Sequence, residues 1–171
     1  MKTLILMRHA KSAWDDPQQS DIDRPLSPRG RKAAPRMGTW LAGEGYRPDY
    51  VLCSEARRAK ETLDLVKPSL PEGARIAFRH DLYMAEPREL LEAVSKSPDT
   101  AETVMLVGHN PGLGNLAGSL VAQGEHKAVA RLRTKFPTGA IAAVTFEIDH
   151  WDDIVAGSGT LAAFMRPRDS A

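Results

Sequence analysis

The sequence predicts an α/β fold in three layers: a central, mostly parallel sheet with helices on both faces. Three observations predict it. Short apolar runs of strand length (Thr3 to Met7, Tyr50 to Cys53, Thr103 to Val107) alternate with longer segments of helical apolar spacing. The runs are continuously apolar rather than alternating, as strands buried on both faces require. Strand–helix alternation is the pattern of βαβ units, which build parallel sheets.

Taken in order, Thr3 to Met7 is the first strand and ends abruptly in Arg8-His9. Residues Lys11 to Pro28 hold three prolines among Ser, Asp and Gln, and read as a loop over that strand end. Ser27-Pro28 is a helix start, an N-cap serine before a proline at the first helical position. Ala34, Met37, Trp40 and Leu41 make its apolar face; Pro35 is expected to kink or delay it, and Gly43 and Gly45 close it. Tyr50 to Cys53 is the second strand. Ser54 is expected to cap the following helix, where Ala59, Thr62, Leu63 and Val66 share a face before Pro68. Arg75 to Phe78 is a short strand, and Glu86-Pro87 opens a helix with Leu90, Leu91 and Val94 inward. Thr103 to Val107 runs into Gly108-His109-Asn110-Pro111-Gly112 and then a helix with Leu113, Leu116, Ala117, Leu120 and Val121 on one face. Ala140 to Ile148 and Thr160 to Met165 are late strands, and the basic stretch Lys127, Arg131, Arg133, Lys135 reads as a solvated helix face.

Size and charge narrow the function. A chain of 171 residues suits one domain, 1–171, with a sizeable core. With 23 basic and 22 acidic residues the net charge is +1, so no bulk field points to nucleic acid or membrane. Cys53 is the only cysteine, which excludes an internal disulfide framework, and its apolar neighbours make it a packing residue. Arg8 and His9 interrupt the first apolar stretch too early for a signal peptide, so a cytoplasmic location is the expectation.

Three strand ends carry related polar residues: Arg8-His9, Ser54 leading into Arg57-Arg58, and Gly108-His109-Asn110. In a parallel sheet such ends share one edge, where α/β folds bind ligands. Arginine forks and helix N-termini suit a phosphate group. Other chemistries fit less well. No Walker-type glycine loop occurs, and Gly112 to Gly118 misses the dinucleotide spacing by one residue, so its glycines serve a turn or close packing. No HExxH is present, and His80, His126 and His150 are scattered, so neither a metal nor a cofactor is expected. Gly157-Ser158-Gly159 lacks the flanks of a nucleophile elbow.

These residues resemble the histidine phosphatase superfamily. Arg8-His9-Ala10-Lys11-Ser12-Ala13-Trp14 is similar to its RHG-type signature, in the RHA form of SixA-type phosphohistidine phosphatases. Asp23 to Gly30 is similar to the segment that follows in that subgroup. Ser54-Glu55-Ala56-Arg57-Arg58-Ala59-Lys60-Glu61-Thr62 resembles the S-x-x-x-R-A-x-x-T element, which selects Arg58 over Arg57. Val107 to Gly112 resembles the second-histidine segment, and weaker similarity continues through Pro137-Thr138-Gly139. The resemblance implies a phosphoglycerate mutase-like fold and a covalent mechanism. His9 would attack phosphorus while its other ring nitrogen donates to a carbonyl. Arg8, Arg58 and His109 would hold the phosphate oxygens, with Ser12 and Asn110 as further phosphate contacts, and no metal would be required.

Two positions depart from the pattern. Asp15 stands where asparagine is common, and is expected to turn away or pair with a cation. Glu86 is the candidate proton donor, equally readable as an ordinary helix cap. A weak acid favours phosphohistidine as substrate, because imidazole leaves more easily than an alkoxide. The expected partner is a phosphorylated protein, such as a histidine-phosphotransfer domain, or a small phosphoester. The alternatives are a non-catalytic phosphoprotein-binding module and a mutase.

Overall fold

The computed structural model describes residues 1–170. Seven strands form one sheet: β1 (Lys2–Arg8), β2 (Tyr50–Ser54), β3 (Arg75–Arg79), β4 (Thr103–Gly108), β5 (Val121–Gly124), β6 (Ile141–Phe146) and β7 (Gly159–Met165). Their spatial order is β3-β2-β4-β1-β6-β7-β5. The β1–β4, β2–β4, β2–β3 and β5–β7 pairs are parallel, and β6 alone runs against its neighbours β1 and β7. Five α-helices cover it: α1 (Pro28–Gly43), α2 (Arg57–Val66), α3 (Pro87–Ser95), α4 (Gly112–Leu120) and α5 (His126–Thr134).

Period-two side-chain alternation along the buried strands divides the core in two. Leu4 and Leu6 of β1, with Leu52, Leu106 and Val144, pack under α3 and α4. Ile5 and Met7, with Val51, Cys53 and Val107, pack under α1 and α2. This is the expected α/β three-layer architecture. Cys53 is fully buried and its thiol is pushed up to about 12 by that burial, so it is a packing residue.

Helix starts follow the local chemistry with one correction. Ser27 caps α1, its Oγ accepting from the Gly30 amide at 3.1 Å, a contact worth about 1 kcal/mol. The helix then runs through Pro35 rather than starting after it, since burial of Ala34, Met37 and Leu41 offsets the one backbone hydrogen bond proline removes. Trp40 is only half-buried on that face. Ser54 does not cap α2: it is the last residue of β2, and α2 begins at Arg57 with Ala56 at the cap position.

The late chain also departs from expectation. Val121 does not extend the α4 face; it begins β5, which pairs beside β7, and a helix-period residue here meets a sheet edge that only tertiary contact supplies. Of the glycines after β4, Gly112 serves close packing, whereas Gly118 has room for a side chain. A side chain at Gly112 would lie 2.0 Å from the Ala85 carbonyl oxygen, so α4 can approach that turn only with glycine there.

Candidate active site

Strand register brings the polar ends together. Arg8 lies opposite Gly108 and Cys53 opposite Val107, so His9, His109 and Ser54 emerge side by side on one sheet edge. The His9 amide continues the ladder to the Gly108 carbonyl at 3.1 Å. From the other side, Gly139 donates to the Arg8 and His9 carbonyls at 3.1 and 2.9 Å. Its φ of +79° and its closeness to Pro167 (2.9 Å from a hypothetical Cβ) make glycine the fitting residue there.

His9 is buried and held in one tautomer. Its Nδ1 lies 2.7 Å from the Ala10 carbonyl oxygen and therefore carries the proton. The Nε2 lone pair accepts from Arg58 Nε at 3.3 Å. The Ala10 peptide is itself anchored, its amide donating to Thr62 Oγ1 at 3.0 Å, and Thr62 donates to the Arg58 carbonyl at 2.7 Å. Burial, then the cationic and imidazole neighbours, lower the His9 pKa to about 3, against the opposing pull of the Ala10 carbonyl. The ring is neutral at physiological pH, its Nε2 lone pair directed at the Arg58 guanidinium.

Around it stand donors whose partners are incomplete. Arg8 gives Nη1 to the Phe136 carbonyl at 3.1 Å, while its buried Nε has no hydrogen-bond partner among the described residues. His109 meets Ser54 Oγ through Nε2 at 2.7 Å, and its buried Nδ1 is likewise unpartnered. Ser54 Oγ also accepts from the Ala56 amide at 3.2 Å, and donation of its proton to His109 Nε2, the one acceptor it meets among the described residues, leaves the His109 proton on Nδ1. Burial, then the nearby Arg58, lowers the His109 pKa to about 4. Two buried, unsatisfied donors on residues lining one cavity of about 240 Å³ are the signature of a missing acceptor.

Each predicted site residue can now be placed. Arg8, His9, Ser12, Arg58, His109 and Asn110 all line this cavity. Arg58 is buried beside His9, whereas Arg57 is exposed and pairs with Glu61 at 3.0 Å. Asn110 spends both ends of its amide on backbone, donating to the Phe136 carbonyl at 2.8 Å and accepting from the Gly114 amide at 2.9 Å, so it braces the wall. Glu86 is exposed at the N-cap of α3, where its amide donates to Glu89 Oε1 at 3.0 Å, and it does not line the cavity. Asp15 is exposed, does not line the cavity and forms no ion pair among the described residues. Nor do those residues gather three or more His, Cys, Asp or Glu side chains as metal ligands would be gathered.

Sequence reasoning missed Asp21, in a short 3₁₀ turn over the site. Its carboxylate binds Arg58 Nη2 at 3.0 Å and Arg24 Nε at 3.1 Å, and Tyr83 donates to it as well; its carbonyl takes Arg58 Nη1 at 2.6 Å. The Tyr83 hydroxyl and then Arg58 hold the Asp21 carboxyl at about 2. Asp21 thus turns the Arg58 fork so that Nε faces His9. Trp14, also on the cavity, stacks on Arg24, whose Cζ lies 3.3 Å from the ring centre.

A paired-histidine, two-arginine anion pocket at the C-terminal edge of such a sheet defines a class, and the chain belongs to it: the histidine phosphatase superfamily (branch 1), whose family model matches residues 4–82. Within that family the chain is of the SixA type. A chain from Nakamurella multipartitia, assigned as a SixA phosphohistidine phosphatase, superposes with a TM-score of 0.84 at 32% identity, covering 97% of this chain and 96% of that one. A protein histidine phosphatase SixA complexed with tungstate gives a TM-score of 0.72 at 27% identity, with 97% of each chain covered. The uncharacterized protein Rv1276c of Mycobacterium tuberculosis is 42% identical over 164 residues, 95% of this chain and all of that one.

Proposed function

We propose that this chain is a metal-independent phosphohistidine phosphatase acting on a phosphorylated protein, with His9 as the nucleophile. The observation that carries it is the pairing of a neutral, tautomer-locked His9 with the unsatisfied donors Arg8 Nε and His109 Nδ1 in one cavity. The Nε2 lone pair attacks phosphorus as the bond from phosphorus to the substrate imidazole nitrogen breaks. Arg8, Arg58 and His109 take up the charge on the equatorial oxygens, with Ser12 beside them. Water then attacks the His9 phosphohistidine in line and releases orthophosphate. Binding of tungstate, a phosphate-like oxyanion, by a SixA relative fits such a pocket.

The carboxylate that lines the cavity is Asp21, and at about 2 it is a poor proton donor near neutrality. A site without a strong acid suits a leaving group that departs with little help. Imidazole, with a reference pKa of about 6.5, is such a group, and an alkoxide is not. The name of the Escherichia coli relative, phosphohistidine phosphatase SixA, 29% identical over 168 residues, supports the same substrate class. The proposal treats residues 1–171 as one domain and places it in the cytoplasm, with neither cofactor nor nucleic-acid partner.

The test compares kcat/KM on a histidine-phosphorylated protein with that on p-nitrophenyl phosphate and an alkyl phosphate. The expected order is phosphohistidine first and alkyl phosphate last, with an acid-labile phosphoryl label on wild-type protein that His9→Ala lacks. Preference for the alkyl ester would overturn the substrate class. Binding of the phosphoprotein without turnover would favour a non-catalytic module, and isomerised product without free phosphate a mutase.

A further inference from the structure

We propose that a cationic shelf beside the phosphate pocket docks an acidic face of the phosphoprotein substrate; this rests on the phosphoprotein reading above. The shelf is a second concavity of about 220 Å³ lined by Lys11, Arg29, Lys135, Arg166 and Arg168. It shares Lys11 and Thr138 with the phosphate pocket, so the two are continuous. Arg131 extends it on the α5 side.

The fold assembles it from distant segments. Strand β6 is antiparallel to β1, with Met7 opposite Ile141, so the segment Lys135 to Gly139 arrives at the site edge. Strand β7 returns with Met165 opposite Ile141 and delivers Arg166 and Arg168 to the same edge. Arg29 comes from the first turn of α1. One carboxylate accompanies them: Asp169, clasped by Arg166 at 2.7 and 3.2 Å and also near Arg131 and Arg168. Lys11, Arg29, Arg131, Lys135 and Arg168 are exposed and form no ion pair among the described residues.

Some surface cations elsewhere are matched, Arg57 with Glu61, Arg79 with Asp81 and Lys96 with Glu92; the shelf differs in gathering five unmatched ones around one concavity and its extension. One group of acidic residues lies at the far edge. The register Lys2 to Phe146 puts exposed Glu147, Asp149, Asp152 and Asp153 there, and Asp99 is tied to Trp151 at 2.8 Å. A net charge of +1 therefore conceals a local cluster of cations beside the phosphate pocket. Unpaired cations around a functional cleft steer oppositely charged partners and fix their register more than they stabilise the fold.

The occupant is a protein rather than a bare anion because the same pocket mouth carries Trp14 and Met84, exposed at 73% and 49%. Aromatic and thioether side chains beside arginine are the composition of protein interfaces. Met84 is also the one non-glycine residue among those described with positive φ, +50°, a costly conformation that keeps its position on the rim.

The test uses the triple variant Arg29→Glu/Lys135→Glu/Arg168→Glu, whose sites lie outside the phosphate pocket, and its glutamine counterpart. An acidic histidine-phosphotransfer protein, phosphorylated on histidine, is compared with free phosphohistidine between about 50 and 300 mM salt, a range over which the screening length shortens markedly. The expected result is a fall of about tenfold in kcat/KM on the protein, smaller for the glutamine form, with loss of its salt dependence. Free phosphohistidine turnover should stay within about twofold. Equal losses on both substrates, no loss on the protein, or tighter binding of single-stranded RNA than of the acidic protein would each overturn the proposal. Binding of the unphosphorylated acidic protein is measured alongside by surface plasmon resonance. If wild type cleaves no N–P bond, the phosphohistidine reading fails, yet charge-reversal-sensitive binding of that protein still supports the shelf, and unchanged binding overturns it.

Discussion

Strand β1 carries a cation at each end, Lys2 buried and Arg8 half-buried, and the two are treated differently. Lys2 gives Nζ to the Asp99 and Ala101 carbonyls, has Glu102 at 3.8 Å and lies over the Trp151 ring. Arg8 gives one nitrogen to the Phe136 carbonyl, leaves Nε unpartnered, and has its guanidinium pKa lowered by burial and by the like charge of Arg58. A saturated buried cation holds the fold together; an undersaturated one beside another cation is held for a ligand. The same strand thus separates a structural end from a chemical one.

The hardest test of that division removes the group the chemical end exists to serve. His9→Ala is expected to lower turnover of a histidine-phosphorylated protein by about 10⁴-fold or more while leaving the fold intact, checked by phosphate release and circular dichroism. Next, the two cations can be exchanged for methionine. Arg8→Met should cost about 10²- to 10³-fold in kcat/KM with little loss of stability. Lys2→Met should leave kcat/KM unchanged and cost about 1 kcal/mol in urea unfolding, because the Nζ bonds to the Asp99 and Ala101 carbonyls are lost while Trp151 Nε1 still donates to Ala101. If the two variants behaved alike, the distinction between the ends would collapse.

Asp21→Asn sharpens the comparison at the chemical end. A residue that orients Arg58 should, when neutralised, slow N–P and O–P substrates by the same factor, about tenfold. A proton donor would slow the alkyl ester far more than the phosphohistidine and would flatten the acid limb of its pH profile.

The smallest effect is on stability against pH. His9 and His109 have folded pKa values of about 3 and 4, below the ordinary 6.5, so the unfolded chain binds protons the folded chain refuses. Their contribution is flat above pH 6.5, and stability falls as pH drops from there towards 4, by up to about 1.4 kcal/mol per pH unit for each group. Asp21 adds nothing in that window, since its carboxylate stays ionised in both states until pH nears 4. Urea midpoints measured across the range should show a shallower slope in His9→Asn.

Legibility in the sequence followed the range of the signal. Strands β1, β2 and β4 were readable because an unbroken apolar run needs only local pattern. Strand β5 was not, because Val121 continues the spacing of α4 and only the neighbouring β7 makes it a strand. Arg8, His9, Arg58 and His109 could be read as four strand-end residues in ordered motifs. Asp21 and Tyr83 could not: each lies in a polar turn, and they meet across 62 positions of sequence. The shelf was invisible for another reason. Summed charge averages over the whole chain, and the basic stretch around Arg131 and Lys135 reads alone as a solvated face.

The reversal of β6 has a combinatorial consequence. In a wholly parallel sheet each strand offers one terminus to the ligand-binding edge, always the end it leaves by. Here the chain also enters β6 from that edge, so the connection before it and the segment after β7 both reach the site from strands other than those that bear His9 and His109. Recharging exposed Lys135 or Arg168 would change what can approach the pocket while the Phe136 carbonyl goes on holding Arg8 and Asn110. A scaffold so wired can acquire new clients at its rim independently of its chemistry.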